Sequence, residues 1–199
     1  MRELVVKTLP PDGAIDYVPE WIEARAADCL MARLQQTLEW EQRSIRMFGR
    51  VFAQPRLIRF MGDPGIVYRY SGGSYIAAPW HPALLPLRRR LREEYRLEFN
   101  CVLINQYRDG RDSMGWHADD EPELGPRPTI ASVSLGAERR FQLRSRQLPR
   151  QRFEIKPGHG SLLLMRGALQ QHWQHQLPKT ARPVGPRINL TFRRVLSRD

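Results

Sequence analysis

The sequence predicts a mainly β fold of the α+β class, a double-stranded β-helix (jelly-roll) core carrying an N-terminal α/β cap. Three observations predict it. Beyond residue 99, short strand-like runs follow one another at 100–107, 129–135, 139–146, 151–156, 160–165, 170–176 and 187–195. Turn signals separate them: Asp-Gly at 109–110, Gly-Ala-Glu at 136–138 and Pro-Gly-His-Gly at 157–160. Helical periodicity is confined to the N-terminal half, at 19–38 and 82–97. Short strands at such spacing close into a sandwich or jelly roll more readily than into an open parallel sheet, which needs helices between its strands.

Residues 1–16 read as a strand-like lead turning at Pro-Pro-Asp-Gly, 10–13. In 19–38, Ile22, Ala26, Cys29, Leu30 and Leu34 recur at helical spacing, and Pro19 suits a first turn. Residues 40–60 read as a strand, a tight turn at Phe48-Gly49, then a strand or loop to Pro55. Gly-Asp-Pro-Gly and Ser-Gly-Gly bracket a short strand from Val67 to Tyr70, in which Tyr68 and Tyr70 share a face. In 82–97, Leu84, Leu87, Leu91 and Tyr95 form a stripe, leaving Arg88, Arg89, Arg92 and Glu93 on a solvated face. With no internal repeat or low-complexity segment, residues 1–199 read as one domain: 1–98 the cap, 99–199 the core.

A length of 199 residues allows a sizeable core, and 41% hydrophobic with 27% charged residues fits a soluble globular protein. No apolar run is long enough to span a membrane, and the N-terminus lacks the apolar centre of a secretion signal, so the cytoplasm is the expected compartment. Cys29 and Cys101, both in apolar contexts, provide neither a disulfide framework nor a zinc site. The net charge is +11, and only Lys7, Lys156 and Lys179 among the basic residues are lysines. Such an excess of positive charge favours a polyanionic partner, most often nucleic acid.

Two short stretches carry chemistry. His117 and Asp119, two residues apart, share a face of an extended chain, where an imidazole and a carboxylate form part of a metal cage. Two candidates exist for a second imidazole, His172 and His175; on one strand they have opposite parity, so only one faces inward, and spacing alone leaves the choice open. His81 and His159, beside a proline and between glycines, read as structural. In Arg187 to Arg193, RINLTFR, Ile188, Leu190 and Phe192 take one face, and Arg187, Asn189, Thr191 and Arg193 the other. Two guanidiniums so close repel unless water or an anion lies between them, and a guanidinium matches a carboxylate with paired hydrogen bonds. A solvated basic strand face and a dicarboxylate clamp are both consistent with this alternation.

Taken together the sequence resembles the AlkB family of Fe(II)- and 2-oxoglutarate-dependent dioxygenases. The resemblance covers about residues 45–195 and rests on NQYRDG, HADDE, IASVSLGAERRF, HGSLLLM, HWQHQLP and RINLTFR, in the family's order. MFG at 47–49, YRYSG at 68–72 and HADDE at 117–121 are similar to the branch that repairs duplex DNA. The resemblance implies the same core fold, with a nucleotide-recognition lid within 1–98. It selects His175, twelve residues before Arg187, as the third metal ligand beside His117 and Asp119. It implies Fe(II), 2-oxoglutarate and O2 as cofactor and co-substrates, and Asn105, Tyr107, Arg187, Asn189, Thr191 and Arg193 around 2-oxoglutarate. In that scheme Arg187 takes the far carboxylate and Arg193 lies near the iron-bound one.

The implied reaction removes N-alkyl groups from bases of the 1-methyladenine and 3-methylcytosine type in DNA, duplex in preference to single-stranded, releasing formaldehyde, succinate and CO2. The reacting atom lies on a pairing edge, so the base must be flipped out. The implied substrate contacts are a finger at Phe48 and Gly49, Arg56 near the opposite strand, Tyr68, Arg69 and Tyr70 from the lid, and Asp120 and Glu121 near the flipped base. The segment 139–152, RRFQLRSRQLPRQR, reads as a basic hairpin that places Arg144 and Arg146 on phosphates. The same chemistry on RNA or methylated protein is the alternative within the enzyme class. A catalytically silent, nucleic-acid-binding jelly roll is the alternative outside it, against which the complete ligand set argues. One complete site in one chain suggests a monomer.

Overall fold

The computed structural model describes residues 4–47, 50–70, 73–148 and 150–196. The N-terminal half contains β1 (Val5–Leu9), β2 (Gly13–Val18), α1 (Ala24–Thr37), β3 (Ser44–Met47), β4 (Arg50–Ala53), β5 (Leu57–Gly62), β6 (Val67–Tyr70), β7 (Gly73–Ile76) and α2 (Leu85–Tyr95). The C-terminal half contains β8 (Cys101–Tyr107), β9 (Met114–His117), β10 (Ile130–Gly136), β11 (Phe141–Ser145), β12 (Arg152–Ile155), β13 (Ser161–Gly167), α3 (Leu169–His172), β14 (Trp173–Leu177) and β15 (Arg187–Arg193). A large antiparallel sheet runs β1-β2-β13-β10-β15-β8-β5, and a small one runs β12-β11-β14-β9. Two hairpins, β3-β4 and β6-β7, stand apart from both.

Alternation in the strands determines the layers. On β15, Ile188, Leu190 and Phe192 pack with Ala27 and Leu34 of α1 and Leu87 and Leu91 of α2. That core lies on the helix-covered face of the large sheet; each fully buried leucine in it contributes about 1.5–3 kcal/mol. A second cluster lies between the sheets: Leu103, Ile130 and Leu163 of the large sheet meet Leu143 and Trp173 of the small one. The polar residues of β15 are therefore directed into the inter-sheet space, not to solvent.

The jelly roll expected from the strand spacing is present, with differences in detail. α1 starts at Ala24, not in the first turn after Pro19: Glu20 has φ 50, and Glu23 caps the helix by accepting from the Arg25 N–H at 3.3 Å. Its buried stripe is Ala27 and Leu34 with Leu30 and Met31, while Ala26 and Cys29 are exposed; the packed face is turned by one residue from the expected one. The expected stripe of α2 is buried at Leu84, Leu87 and Leu91. The run 170–176 divides into α3 and β14, because the chain turns through one helical segment before it pairs with β11. β7 completes a hairpin with β6 that periodicity did not reveal. No helix among the described residues is long and apolar enough to cross a membrane.

Candidate metal and co-substrate site

β9 and β14 are neighbours in the small sheet, and His117 lies directly opposite His175. Their rings are 4.2 Å apart between centroids. Asp119 follows β9, and one ligand atom from each of His117, Asp119 and His175 lies within 4.8 Å of the others. His117 Nδ1 donates to the Gly115 carbonyl at 2.8 Å, which turns the second ring nitrogen toward the cluster, as second-sphere hydrogen bonds do in metal sites. Burial, followed by the neighbouring His117, lowers the His175 pKa to about 3, so this imidazole is neutral and able to ligate at physiological pH. His172 ends α3 instead, 3.4 Å from Gln147. His172 belongs to α3 and His175 to β14, so the exclusion of His172 follows from the helix–strand boundary between them and not from parity on one strand.

Asp119 is fully buried. Its Oδ1 accepts from Arg193 Nη2 at 2.7 Å, while its Oδ2 has no hydrogen-bond partner among the described residues. Burial opposes its charge, but Arg193 and then the two imidazoles outweigh burial and hold its pKa below the usual carboxylate range. A buried carboxylate oxygen facing two neutral imidazoles is what a divalent cation would satisfy. The donor set fits Fe(II), with two imidazoles and one carboxylate leaving further positions open.

The same cavity extends along β15. Arg187 is 3% exposed and has no acidic partner within salt-bridge reach among the described residues. Its Nη2 donates to Ser134 Oγ at 2.9 Å and Asn189 Oδ1 at 2.8 Å, and its Nε has no hydrogen-bond partner among the described residues. Burial lowers its pKa to about 10, the direction expected of a cation awaiting an anion. Asn189 also accepts from Ser132 at 2.9 Å and donates to Thr191 at 2.8 Å, so it organises the row between the arginines. In the ladder Tyr107 lies opposite Arg187, and Asn105 opposite Asn189. Arg193 Nε and Nη1 likewise have no hydrogen-bond partner among the described residues. Two buried guanidiniums with unused donors at either end of one cavity fit a small dicarboxylate.

The proposed DNA contacts fall in several places. Arg56 is not on an outer surface: it is 5% exposed, with Nε donating to Asn105 Oδ1 at 3.0 Å. Because β5 pairs with β8, Arg56 at the head of β5 is brought to the co-substrate pocket. Tyr68 is fully buried in this conformation, 5.9 Å from the Phe60 ring and 5.4 Å from the Arg193 guanidinium, so its ring is not presented as a platform. Its hydroxyl donates to Glu121 at 2.7 Å. Burial and then Asp119 raise the Glu121 pKa to about 7. Arg69 reaches Glu123 at 3.1 Å, and Arg146 pairs with Asp120 at 2.7 Å. Arg144 lies 4.3 Å from the Trp116 ring and donates twice to Gln174. Phe48 and Gly49 lie outside the described residues, as does the Tyr70 side chain.

Residues not singled out in the sequence also contribute. Ser132 and Ser134 alternate on β10 in IASVSLG and could have been found from that alternation. Gln170, 1% exposed, accepts from the Asp119 N–H at 3.0 Å; an α3 glutamine carries no local signal for this.

A jelly roll with a His-Asp-His cluster at one end of an arginine-lined pocket is the arrangement of a metal-dependent oxygenase that uses a 2-oxo diacid. The model of the 2OG-Fe(II) oxygenase superfamily matches residues 14–193. The chain is 39% identical to alpha-ketoglutarate-dependent dioxygenase alkB homolog 3 of Homo sapiens, over 94% of this chain and 69% of that protein. It is 40% identical to DNA oxidative demethylase ALKBH2 of Mus musculus, over 85% of this chain and 75% of that protein. The solved structure of OsALKBH1 superposes with a TM-score of 0.63 at 16% identity, covering 96% of this chain and all of that one, which is a likeness of fold. The chain belongs to the AlkB family of Fe(II)- and 2-oxoglutarate-dependent dioxygenases.

Proposed function

We propose that the protein repairs DNA by oxidative removal of N-alkyl groups from bases of the 1-methyladenine and 3-methylcytosine type. The observation that carries the reading is the co-location of the metal cluster with an arginine surface: Arg146 pairs with Asp120, next to the ligand Asp119. The names of the relatives, including a DNA oxidative demethylase, point the same way. With Fe(II) bound, dioxygen and 2-oxoglutarate supply the oxidising chemistry, leaving succinate and CO2, and the hydroxylated alkyl carbon departs as formaldehyde.

The protein's own residues position and shield. His117, Asp119 and His175 hold the metal, and Arg193 keeps Asp119 ionised and oriented. Arg187, Asn105 and Tyr107, with Asn189 and Thr191 between the arginines, hold the co-substrate. Asp120 and Glu121 line the approach of a flipped, cationic base. Duplex DNA is the proposed preferred form. In sequence Phe48 falls between β3 and β4, and on β4 the side chains of Val51 and Phe52 are 63% and 48% exposed, which supports an apolar wedge between bases in this region. One complete site per chain supports action as a monomer.

The test is a panel of methylated single-stranded DNA, duplex DNA and RNA with the Fe(II)-loaded protein, scored by base repair and succinate. Repair of DNA above RNA, and of duplex above single strand, is expected. Repair of RNA alone would transfer the chemistry to RNA. Absence of succinate with every member of the panel, and without any of them, would remove the enzymatic reading altogether.

A further inference from the structure

We propose that Arg139 is a positioning residue for the metal site, tying together the two segments that deliver His117 and His175. The proposal rests on the metal site described above and adds to it a residue from outside the cavity.

Arg139 lies in the connection between β10 and β11 and is 3% exposed. A buried guanidinium is ordinarily matched by a carboxylate. Arg139 has none within salt-bridge distance among the described residues and is held by main-chain carbonyls instead. Its Nη1 donates to the Asp109 carbonyl at 2.9 Å; its Nη2 donates to the Asp112 carbonyl at 2.9 Å and the Pro178 carbonyl at 2.7 Å. Asp109 and Asp112 belong to the loop that leaves β8 and enters β9, the His117 strand. Pro178 follows the last residue of β14, the His175 strand. One cation therefore spans the entry of one ligand strand and the exit of the other.

The ladder between those strands does not determine their spacing unaided. β9 and β14 share only two register pairs, His175 with His117 and Leu177 with Met114, and the register shifts between them. A bulged two-pair ladder is a weak ruler. The loop and the segment after β14 also come very close at Gly110: the Gly110 carbonyl accepts from the Thr180 N–H at 2.9 Å, and a Cβ at Gly110 would lie 2.4 Å from the Thr180 carbonyl oxygen. Arg139 donates to both sides of that contact. A lysine at 139 has one flexible ammonium in place of a planar fork and cannot reproduce the three bonds in the same directions.

The probe is Co(II) alone, titrated into metal-free protein and followed by calorimetry and by its visible absorption, with melting temperature measured in parallel. Arg139→Met is expected to weaken Co(II) binding about 10–100-fold, as loss of supporting hydrogen bonds does at other metal sites, and to change the absorption bands. Arg139→Lys is expected to give an intermediate loss and keeps the test available if the methionine variant does not fold. Leu87→Ala on α2, in the core on the far side of the large sheet, serves as a destabilised control expected to bind Co(II) as wild type does. Wild-type affinity and bands in the Arg139 variants, with only a lowered melting temperature, would overturn the proposal. So would equal losses in Leu87→Ala. If wild type itself shows no site-specific Co(II) binding, the metal-site reading fails; if wild type binds and the variants bind alike, only the tie fails.

Discussion

Arg193 and Asp119, 74 residues apart, meet at 2.7 Å with side chains only 4% and 1% exposed. Burying two charges is tolerable only because each neutralises the other. Arg193→Met should leave Asp119 buried and unpaired, lowering the stability of the metal-free protein by about 3–5 kcal/mol. Part of the loss should return on adding a divalent metal, because the ion takes over neutralisation of Asp119. Thermal melts of metal-free and metal-loaded variant check this. A variant as stable as wild type without metal would mean that the pair is not held in solution.

The opposition of His117 and His175 separates the two candidate histidines. His175→Ala should abolish metal-dependent turnover and weaken metal binding, whereas His172→Ala, altering the end of α3, should keep most of both. Metal titration and succinate release measure the two. Equal loss of metal binding in both variants would contradict the assignment.

The chemistry was more legible in the sequence than the packing that supports it. The alternation in RINLTFR gave a polar face and an apolar face, because strand parity is local. That the polar face points between two sheets depends on helices α1 and α2 covering the other, which no local pattern states. His117 and Asp119 are legible as a pair, but His175 is distinguished from His172 only by family likeness, since the α3–β14 boundary between them is imposed by tertiary pairing. Arg56 illustrates the limit: beside a hairpin it reads as a surface contact, yet pairing of β5 with β8 carries it to Asn105. Arg139 gave no signal because its partners are backbone carbonyls, available in any sequence.

Asp112 provides a pH test away from the metal ligands' own titration. Its carboxylate accepts from the Arg108 N–H at 2.9 Å, Nε at 2.8 Å and Nη2 at 2.9 Å. Burial opposes its ionisation, but these bonds outweigh burial and hold the folded pKa below the ordinary 3.8. A depressed carboxylate pKa contributes stability above the unfolded value and loses it as pH falls through the folded value. Arg108 is half-exposed, so the contribution is about 1 kcal/mol. Asp112→Asn should therefore be less stable than wild type above about pH 4, with the gap closing below it. Denaturant titrations at several pH values measure this, and a gap that does not vary with pH would exclude the ionised carboxylate as its source.

The basic hairpin gives the last prediction, and here the structure distinguishes among its arginines. Arg146 is already partly neutralised by Asp120 at 2.7 Å. Arg144 is held by neutral partners, the Gln174 side chain and the Trp116 ring, so its charge is fixed in place and not cancelled. Arg150 and Arg152 are exposed. A phosphate releases condensed counterions when an arginine neutralises it, and each such contact contributes about 0.9 to the steepness of the fall of log affinity with log salt. Replacing Arg144, Arg146, Arg150 and Arg152 with glutamine should flatten that slope for undamaged duplex DNA. Among single variants, Arg144→Gln should flatten it more than Arg146→Gln, because a phosphate must compete with Asp120 for Arg146 and meets no acidic rival at Arg144 among the described residues. Asp120→Asn should then steepen the slope by releasing Arg146. Fluorescence anisotropy between 50 and 200 mM salt, the range over which such contacts dominate, measures all three. Slopes that stay the same in the fourfold variant would make this hairpin a solvated basic surface, and DNA would have to be held elsewhere.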